Sequence, residues 1–410
     1  MKNATIIKFN LNQFLLALSD ALDFVEIDIL GATMHHSKRV AYISLRLADL
    51  YLLNDKEKFD LCSFAVLHDN GLAQEVLLDG VSDNISKKNH HILEQYTVHC
   101  EIGEENVRNF PFLTDHKDII KYHHENYNGS GIFGLKADEI PLIAQIIALA
   151  DTVDNLFHFD NPTIENREKI VKFINKNRDI LYSPSLVDKF NTLANHTSFW
   201  LDLQSANLEN LLIKQLPTFE IDISLDELVE ISAVFRNIVD SNSEFTSNHS
   251  SGLSQKMERM AKYYGYDDEK TKKLVIAANL HDLGKLAVSN TILNKNSSLT
   301  EEEYKIIKSH TYYTRQALEK VEGFTDIVNW ASNHHEKLDG SGYPYGLSAK
   351  DLDFESRLMG CLDIYQALTE NRPYREGLDH QETMSILRKH VDSNLIDGKI
   401  VDDLDRVFKN

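Results

Sequence analysis

The chain has little of what cross-links, interrupts or embeds a protein. Its 410 residues include three cysteines, Cys62, Cys100 and Cys361. An odd number at wide spacing suggests neither a disulfide framework nor a zinc knuckle, and fits a reducing cytoplasm. Seven prolines and 17 glycines against 42% hydrophobic residues argue for a globular, helix-rich protein. The segment after Met1 carries Lys2 and Lys8 but no apolar run of the roughly 18 residues that a bilayer span needs, so neither a leader nor a membrane partner is expected. Positive charge is scarce as well. A net charge of −20 with no offsetting Lys/Arg run disfavours polymeric nucleic acid, and any bound phosphate compound would need a local metal or arginine cluster.

What the chain does have is histidine in duplicate. Residues 36–71 align without a gap onto 249–284, pairing His36 with His249 and His68 with His281. His99 and His310 follow, then His123-His124 and His334-His335, each pair 211 positions apart, and Asp151 matches Asp363. Of 18 histidines, 10 fall on these five paired positions, which chance placement would not produce. The chain is therefore two homologous halves. At about 150 residues per domain the length predicts two or three domains, and a boundary near Leu216-Pro217 divides residues 1–215 from 216–410. TIIKFNLNQF and TFEIDISLDEL occupy the same place before each first histidine, and Ser224 with Glu227 reads as a capping box.

Helical periodicity dominates and strands alternating with helices are absent, so an all-α fold of two tandem domains is expected. DDEKTKKLVIAANLHD and NDKEKFDLCSFAVLHD each lead with acids and place His281-Asp282 and His68-Asp69 at a helix C-terminus. An isolated His-Asp pair more often satisfies a buried hydrogen bond than binds a metal. A set of five imidazoles and two carboxylates, His249, His281, Asp282, His310, His334, His335 and Asp363, exceeds the needs of one ion. It suggests a two-metal site bridged by Asp282.

These residues, with HDLGK, HHEKLDGSGYP and RPYR around them, make the second half resemble the HD-GYP domain of the HD superfamily of metal-dependent phosphohydrolases. The similarity runs from His249 to about Arg375. It implies an all-helical domain holding two or three iron or manganese ions and hydrolysing a cyclic dinucleotide such as cyclic di-GMP or 3',3'-cyclic GMP-AMP to a linear 5'-phosphorylated dinucleotide. The three-metal members carry a glutamate four residues before the first histidine. Phe245 stands there, with Glu244 one step off the face, which favours two ions. Asp282 and Lys285 are the candidate catalytic residues. Lys285 is placed to reach a phosphate oxygen or the departing 3'-oxygen. Arg372 and Arg375 offer forked donors for a second phosphate. Asp339, Gly340, Gly342, Tyr343 and Pro344 read either as a tight turn or as substrate contacts, with Tyr343 able to stack on a base. Arg315 and Arg357 read equally as salt-bridge partners or as substrate contacts.

The first half keeps every donor position, as His36, His68, Asp69, His99, His123, His124 and Asp151, and loses the rest. Lys285 corresponds to Leu72, Arg315 to Glu104, Arg357 to Gln145, Arg372 to Asp160, Arg375 to Thr163, Asp339 to Asn128 and Tyr343-Pro344 to Ile132-Phe133. Residues 1–215 are therefore expected to be a degenerate copy that docks on and regulates a catalytic residues 216–410, and to hold metal without catalysing. A decayed relic without metal is the alternative for that half. For the chain as a whole the rivals are a nucleotide or (p)ppGpp phosphohydrolase and a non-catalytic cyclic-dinucleotide sensor or scaffold.

Overall fold

The duplicated segments fold as matching runs of helices. The computed structural model describes residues 5–79, 98–157, 163–242, 249–295, 297–371 and 376–409, and the chain divides into two compact units. One is Phe9–Ile221; the other is Asp222–Asn410 together with the N-terminal segment up to Lys8. Two short strands, β1 (Ile6–Phe9) and β2 (Ile221–Ser224), pair with each other, with Lys8 Nζ 2.7 Å from Asp222 Oδ1.

In the first unit the helices are α1 (Leu11–Leu30), α2 (His36–Tyr51), α3 (Asp55–Leu67), α4 (Leu72–Asp79) and α5 (Val98–Asn106). They continue as α6 (Leu142–Leu156), α7 (Ile164–Lys176), α8 (Pro184–Ala194), α9 (Thr197–Leu203) and α10 (Leu208–Gln215). The apolar residues of α1 recur so densely that Leu11, Phe14, Leu15 and Leu18 are all sealed from solvent, which makes this helix a core element rather than a surface one. Helix α3 starts where Asn54 accepts from the Lys56 and Glu57 amides while Glu57 bonds back to the Asn54 amide. It stops at Leu67 with His68 as its C-cap.

The second unit repeats the order with α11 (Leu225–Ser241), α12 (His249–Tyr263) and α13 (Asp268–Leu280), then α14 (Asn290–Leu293), α15 (Glu301–Leu318) and α16 (Thr325–Ser332). It closes with α17 (Phe354–Thr369), α18 (His380–Asp392) and α19 (Gly398–Phe408). The Ser224–Glu227 capping box opens α11, and α13, capped by Asp267, ends at Leu280 with His281 as its C-cap. Packing of α13 against α11, α12 and α16 makes it the axis of this unit. A 3-10 turn over Leu283–Ala287 lies on α15.

That last contact sets the site. A side chain at Gly284 would place its Cβ 2.0 Å from the His310 carbonyl oxygen, so only glycine lets the HDLG turn lie against α15. Thr314 locks the approach, its hydroxyl accepting from the Gly284 amide and donating to the His281 carbonyl. Gly71 meets the His99 carbonyl oxygen at 2.3 Å in the same way. Among the described residues no helix is long and apolar enough to cross a membrane, and the three cysteines form no disulfide.

Candidate metal and catalytic site

Hydrogen bonding aims the imidazoles of the second unit inward. His281, His310 and His334 each present Nδ1 to the carbonyl three residues earlier, Ala278, Ile307 and Ala331, at 2.8, 2.7 and 2.6 Å. A carbonyl only accepts, so the N–H sits on Nδ1 and Nε2 keeps its lone pair for the site. His249 presents Nδ1 to Glu370 Oε2 at 2.9 Å and Nε2 to Asp363 Oδ1 at 3.0 Å.

The two oxygens of Asp282 face different donor groups. Oδ2 lies 3.1 Å from His281 Nε2, while Oδ1 lies 3.4 Å from His310 Nε2 and 3.9 Å from His334 Nε2. Two candidate ligand sets follow: His249, His281 and Asp363 on one side, His310, His334 and His335 on the other, with ligand atoms in each within 4.8 Å of one another. His281 Nε2 and Asp282 Oδ1 are buried and make no hydrogen bond, and such orphaned atoms are costly unless something positive meets them. The donor chemistry therefore fits two divalent ions sharing Asp282.

Electrostatics agree. Burial works against the Asp282 carboxylate, yet the neighbouring His281 and Lys285 hold it well below the usual carboxylate range. Burial pushes the His310 imidazole down to about 4 and, with His281 beside it, His334 to about 3, so both are neutral donors near pH 7. His249 resists its burial because Asp363 and Glu370 hold its proton, up to about 10. Lys285, on the 3-10 turn, puts Nζ 2.5 Å from Asp282 Oδ2.

The signature turn divides between framework and surface. Glu336, directly after the paired histidines, accepts from the Tyr345 amide through Oε1 at 2.8 Å and from the Leu347 amide through Oε2 at 2.9 Å. It is the clamp that holds the turn over the site. Gly342 packs so closely that a Cβ would meet the Glu336 Cα and the Lys337 nitrogen at 2.4 Å. Asp339 turns away and accepts from the amide and hydroxyl of Ser341, while Gly340 takes a left-handed conformation. Tyr343 stands 4.9 Å from the His335 ring, centre to centre, with Lys308 Nζ 5.2 Å from its own ring centre, and Pro344 follows it by a cis bond.

Arg357 bonds the Leu352 and Ala349 carbonyls and Asp397, and Arg315 bonds Asn329 and Asn333 with its guanidinium over the Tyr345 ring. Both are committed to the framework. Arg372, Arg375, Asp160, Glu244 and Phe245 lie outside the described residues.

The first unit repeats this plan with different details. Asp69 Oδ1 stands 3.4 Å from both His99 Nε2 and His123 Nε2, and Oδ2 stands 3.7 Å from His68 Nε2. His68 and His123 bond through Nδ1 to the Ala65 and Ile120 carbonyls. His36 Nε2 lies 3.4 Å from Asp151 Oδ1 and 3.2 Å from Glu26 Oε2, so a third carboxylate enters here. Asp69 Oδ1, Glu26 Oε2 and the Nε2 atoms of His123 and His124 are buried without hydrogen bonds, and these donors too fit a cation.

Glu125 clamps its own turn through the Phe133 and Leu135 amides. Gln145 bonds the Ala137 and Ile140 carbonyls, the counterparts of those held by Arg357. Glu104 accepts from the Asp118, Ile120 and Lys121 amides, bracing the turn that carries His123. Thr163 caps α7, and Leu72, aligned with Lys285 in sequence, is fully buried. Sequence reasoning missed the clamps Glu336 and Glu125, the approaches at Gly284 and Gly71, and the second carboxylate on each first histidine. Repetition across the halves was the available signal for the first two pairs.

A helical domain with paired His/Asp donor sets is the class these features define, and the HD domain family matches residues 27–186 and 233–400. The chain belongs to that family. It is 31% identical over 401 residues to the 3'3'-cGAMP-specific phosphodiesterase 1 of Vibrio cholerae, covering 96% of this chain and 90% of that protein. It is 32% identical over 142 residues to a cyclic di-GMP phosphodiesterase of Pseudomonas aeruginosa, covering 34% of each. The crystal structure of a cyclic GMP-AMP-specific phosphodiesterase of V. cholerae shares the fold, with a TM-score of 0.68 at 23% identity over 98% of both chains.

Proposed function

We propose that the second unit is a metal-dependent phosphodiesterase that opens a cyclic dinucleotide, 3',3'-cyclic GMP-AMP or cyclic di-GMP, to a linear 5'-phosphorylated dinucleotide. The observation that carries it is the division of donors about Asp282, with Lys285 Nζ 2.5 Å away. The near full-length similarity to a cGAMP-specific phosphodiesterase supports the substrate class. His249, His281, Asp363 and Asp282 Oδ2 would hold one ion, and His310, His334, His335 and Asp282 Oδ1 the other. Iron or manganese suits this mixture of nitrogen and oxygen donors. When bound, such ions would supply Lewis acidity to offset phosphodiester charge and ease ionisation of a water molecule.

The remaining work falls to the chain. Glu370 and the backbone carbonyls fix the imidazole proton of His249, His281, His310 and His334 on Nδ1, so most of the donor geometry is set before substrate arrives. The Lys285 ammonium is placed to donate to a phosphoryl oxygen or to the 3'-oxygen as the P–O3' bond breaks. Water contributes hydroxide to phosphorus and a proton to O3'. Tyr343, beside His335, is the ring on which a base would stack.

For the first unit a metal-binding, non-catalytic and regulatory role is favoured by its retained donors and by Leu72. The test is hydrolysis of cyclic di-GMP, 3',3'-cyclic GMP-AMP and cyclic di-AMP with iron or manganese, wild type against His281→Ala/Asp282→Ala. Turnover that survives the double change overturns the site. Tight binding without turnover in the wild type favours a sensor instead.

A further inference from the structure

The two metal centres differ in one donor element. In the second unit the residue after His310 is Thr311; in the first the residue after His99 is Cys100. Cys100 is fully buried, and its Sγ lies 3.4 Å from His99 Nε2. Sγ and one ring nitrogen each of His99, His123 and His124 all lie within 4.8 Å of one another. The sulfur does not stand alone in pointing to a ligand. His123 is fully buried, and its Nε2, like that of His124, makes no hydrogen bond. Asp69 Oδ1, also without a hydrogen bond, faces the same space.

Given the metal-binding role proposed for the first unit, on which this rests, we infer that Cys100 is a thiolate ligand there, completing a three-histidine, one-sulfur site. Thiolate with imidazole selects borderline and soft divalent ions, zinc, iron(II) or cobalt(II), over magnesium and manganese, which prefer oxygen. The chain would then carry two centres of different metal preference, hard-tolerant in the second unit and sulfur-ligated in the first. Binding releases the thiol proton as the metal–sulfur bond forms, with no change of oxidation state.

Cobalt(II) is the probe. The full chain is stripped of metal, loaded with cobalt without oxygen, and followed by absorption spectroscopy and elemental analysis. The expected result is a near-ultraviolet sulfur-to-cobalt charge-transfer band, abolished in Cys100→Thr and retained in Cys62→Ser and Cys361→Ser. Should Cys100→Thr not fold, Cys100→Ser gives the same comparison. His123→Ala reports whether the first unit holds an ion. If its cobalt content falls below wild type while no sulfur band exists, or if a band survives loss of Cys100, the thiolate assignment is overturned and metal binding stands. Cobalt content unchanged by His123→Ala overturns both.

Discussion

Lys285 Nζ lies 2.5 Å from Asp282 Oδ2, whereas the residue aligned with Lys285 in the first half, Leu72, is apolar and fully buried. An ammonium beside the shared aspartate thus joins Glu26 and Cys100 among the differences between the two donor sets. Lys285→Met is expected to lower kcat by about 10²-fold, the usual cost of removing one donor aimed at developing charge, while metal content stays at the wild-type level. Turnover and elemental analysis on the same preparation check this. Loss of metal together with activity would show that Lys285 acts by holding Asp282.

Glu336 carries a second expectation. Each of its oxygens accepts one backbone amide of the signature turn, so Glu336→Gln sets an NH2 group against an N–H. The cost is about 2 kcal/mol, that of breaking a charge-assisted hydrogen bond. Because the turn, and not the donor set, is loosened, KM rises more than kcat falls. Steady-state kinetics read the split.

Gly284→Ala tests the closest approach in the second unit. A Cβ 2.0 Å from the His310 carbonyl oxygen forces the HDLG turn away from α15 and separates Asp282 from His310. Overpacking of this kind destabilises by about 1–3 kcal/mol, and one of the two ions is expected to be lost with it. Urea unfolding and metal counting follow both effects.

Chelation is expected to lower the melting temperature. Asp282 Oδ1, Asp69 Oδ1 and several Nε2 atoms are buried without hydrogen bonds, so an ion that meets them favours the folded state. Differential scanning calorimetry with and without chelator gives the shift, and its reversal by iron or manganese shows that it arises from the site.

The pH dependence of stability has a contribution remote from the metals. Glu355 resists its burial because Lys270 and the Tyr266 hydroxyl, at 2.5 and 2.7 Å, hold its carboxyl below the ordinary value of 4.5. A depressed folded-state value means that the stabilisation is complete above 4.5 and lost as pH falls through the folded value. Glu355→Gln is therefore expected to cost about 1 kcal/mol at neutral pH and nothing in strong acid. Urea midpoints of the two proteins as a function of pH should converge.

Much of this was legible in the sequence because histidine is rare and its spacing was duplicated. The helix ends at His68 and His281 and the capping box at Ser224 follow from local pattern, whereas the grouping of each donor set rests on the duplication and the family resemblance. The strands β1 and β2 were harder to read. Four residues such as IIKF and IDIS carry too little alternation to distinguish a strand from an extended lead into a helix. Arg357 and Glu104 show a different limit. Charge alone leaves Arg357 open between a salt bridge and a substrate contact, whereas the side chain bonds Asp397 and two backbone carbonyls, and Glu104 accepts from backbone amides. Cys100 next to His99 gave no signal until the fold put both beside His123.

The pairing of β1 with β2 makes Phe9–Ile221 an inserted domain in topological terms. During synthesis the first strand precedes the inserted body and meets its partner only after that body has been made, so closure of that long loop is deferred. A cut at the Leu216-Pro217 linker would not yield two complete halves. It would leave the second half one strand short and the first half with a strand that has nothing to pair with, whereas cuts flanking residues 9 and 221, with the ends rejoined by a short turn, would preserve the sheet.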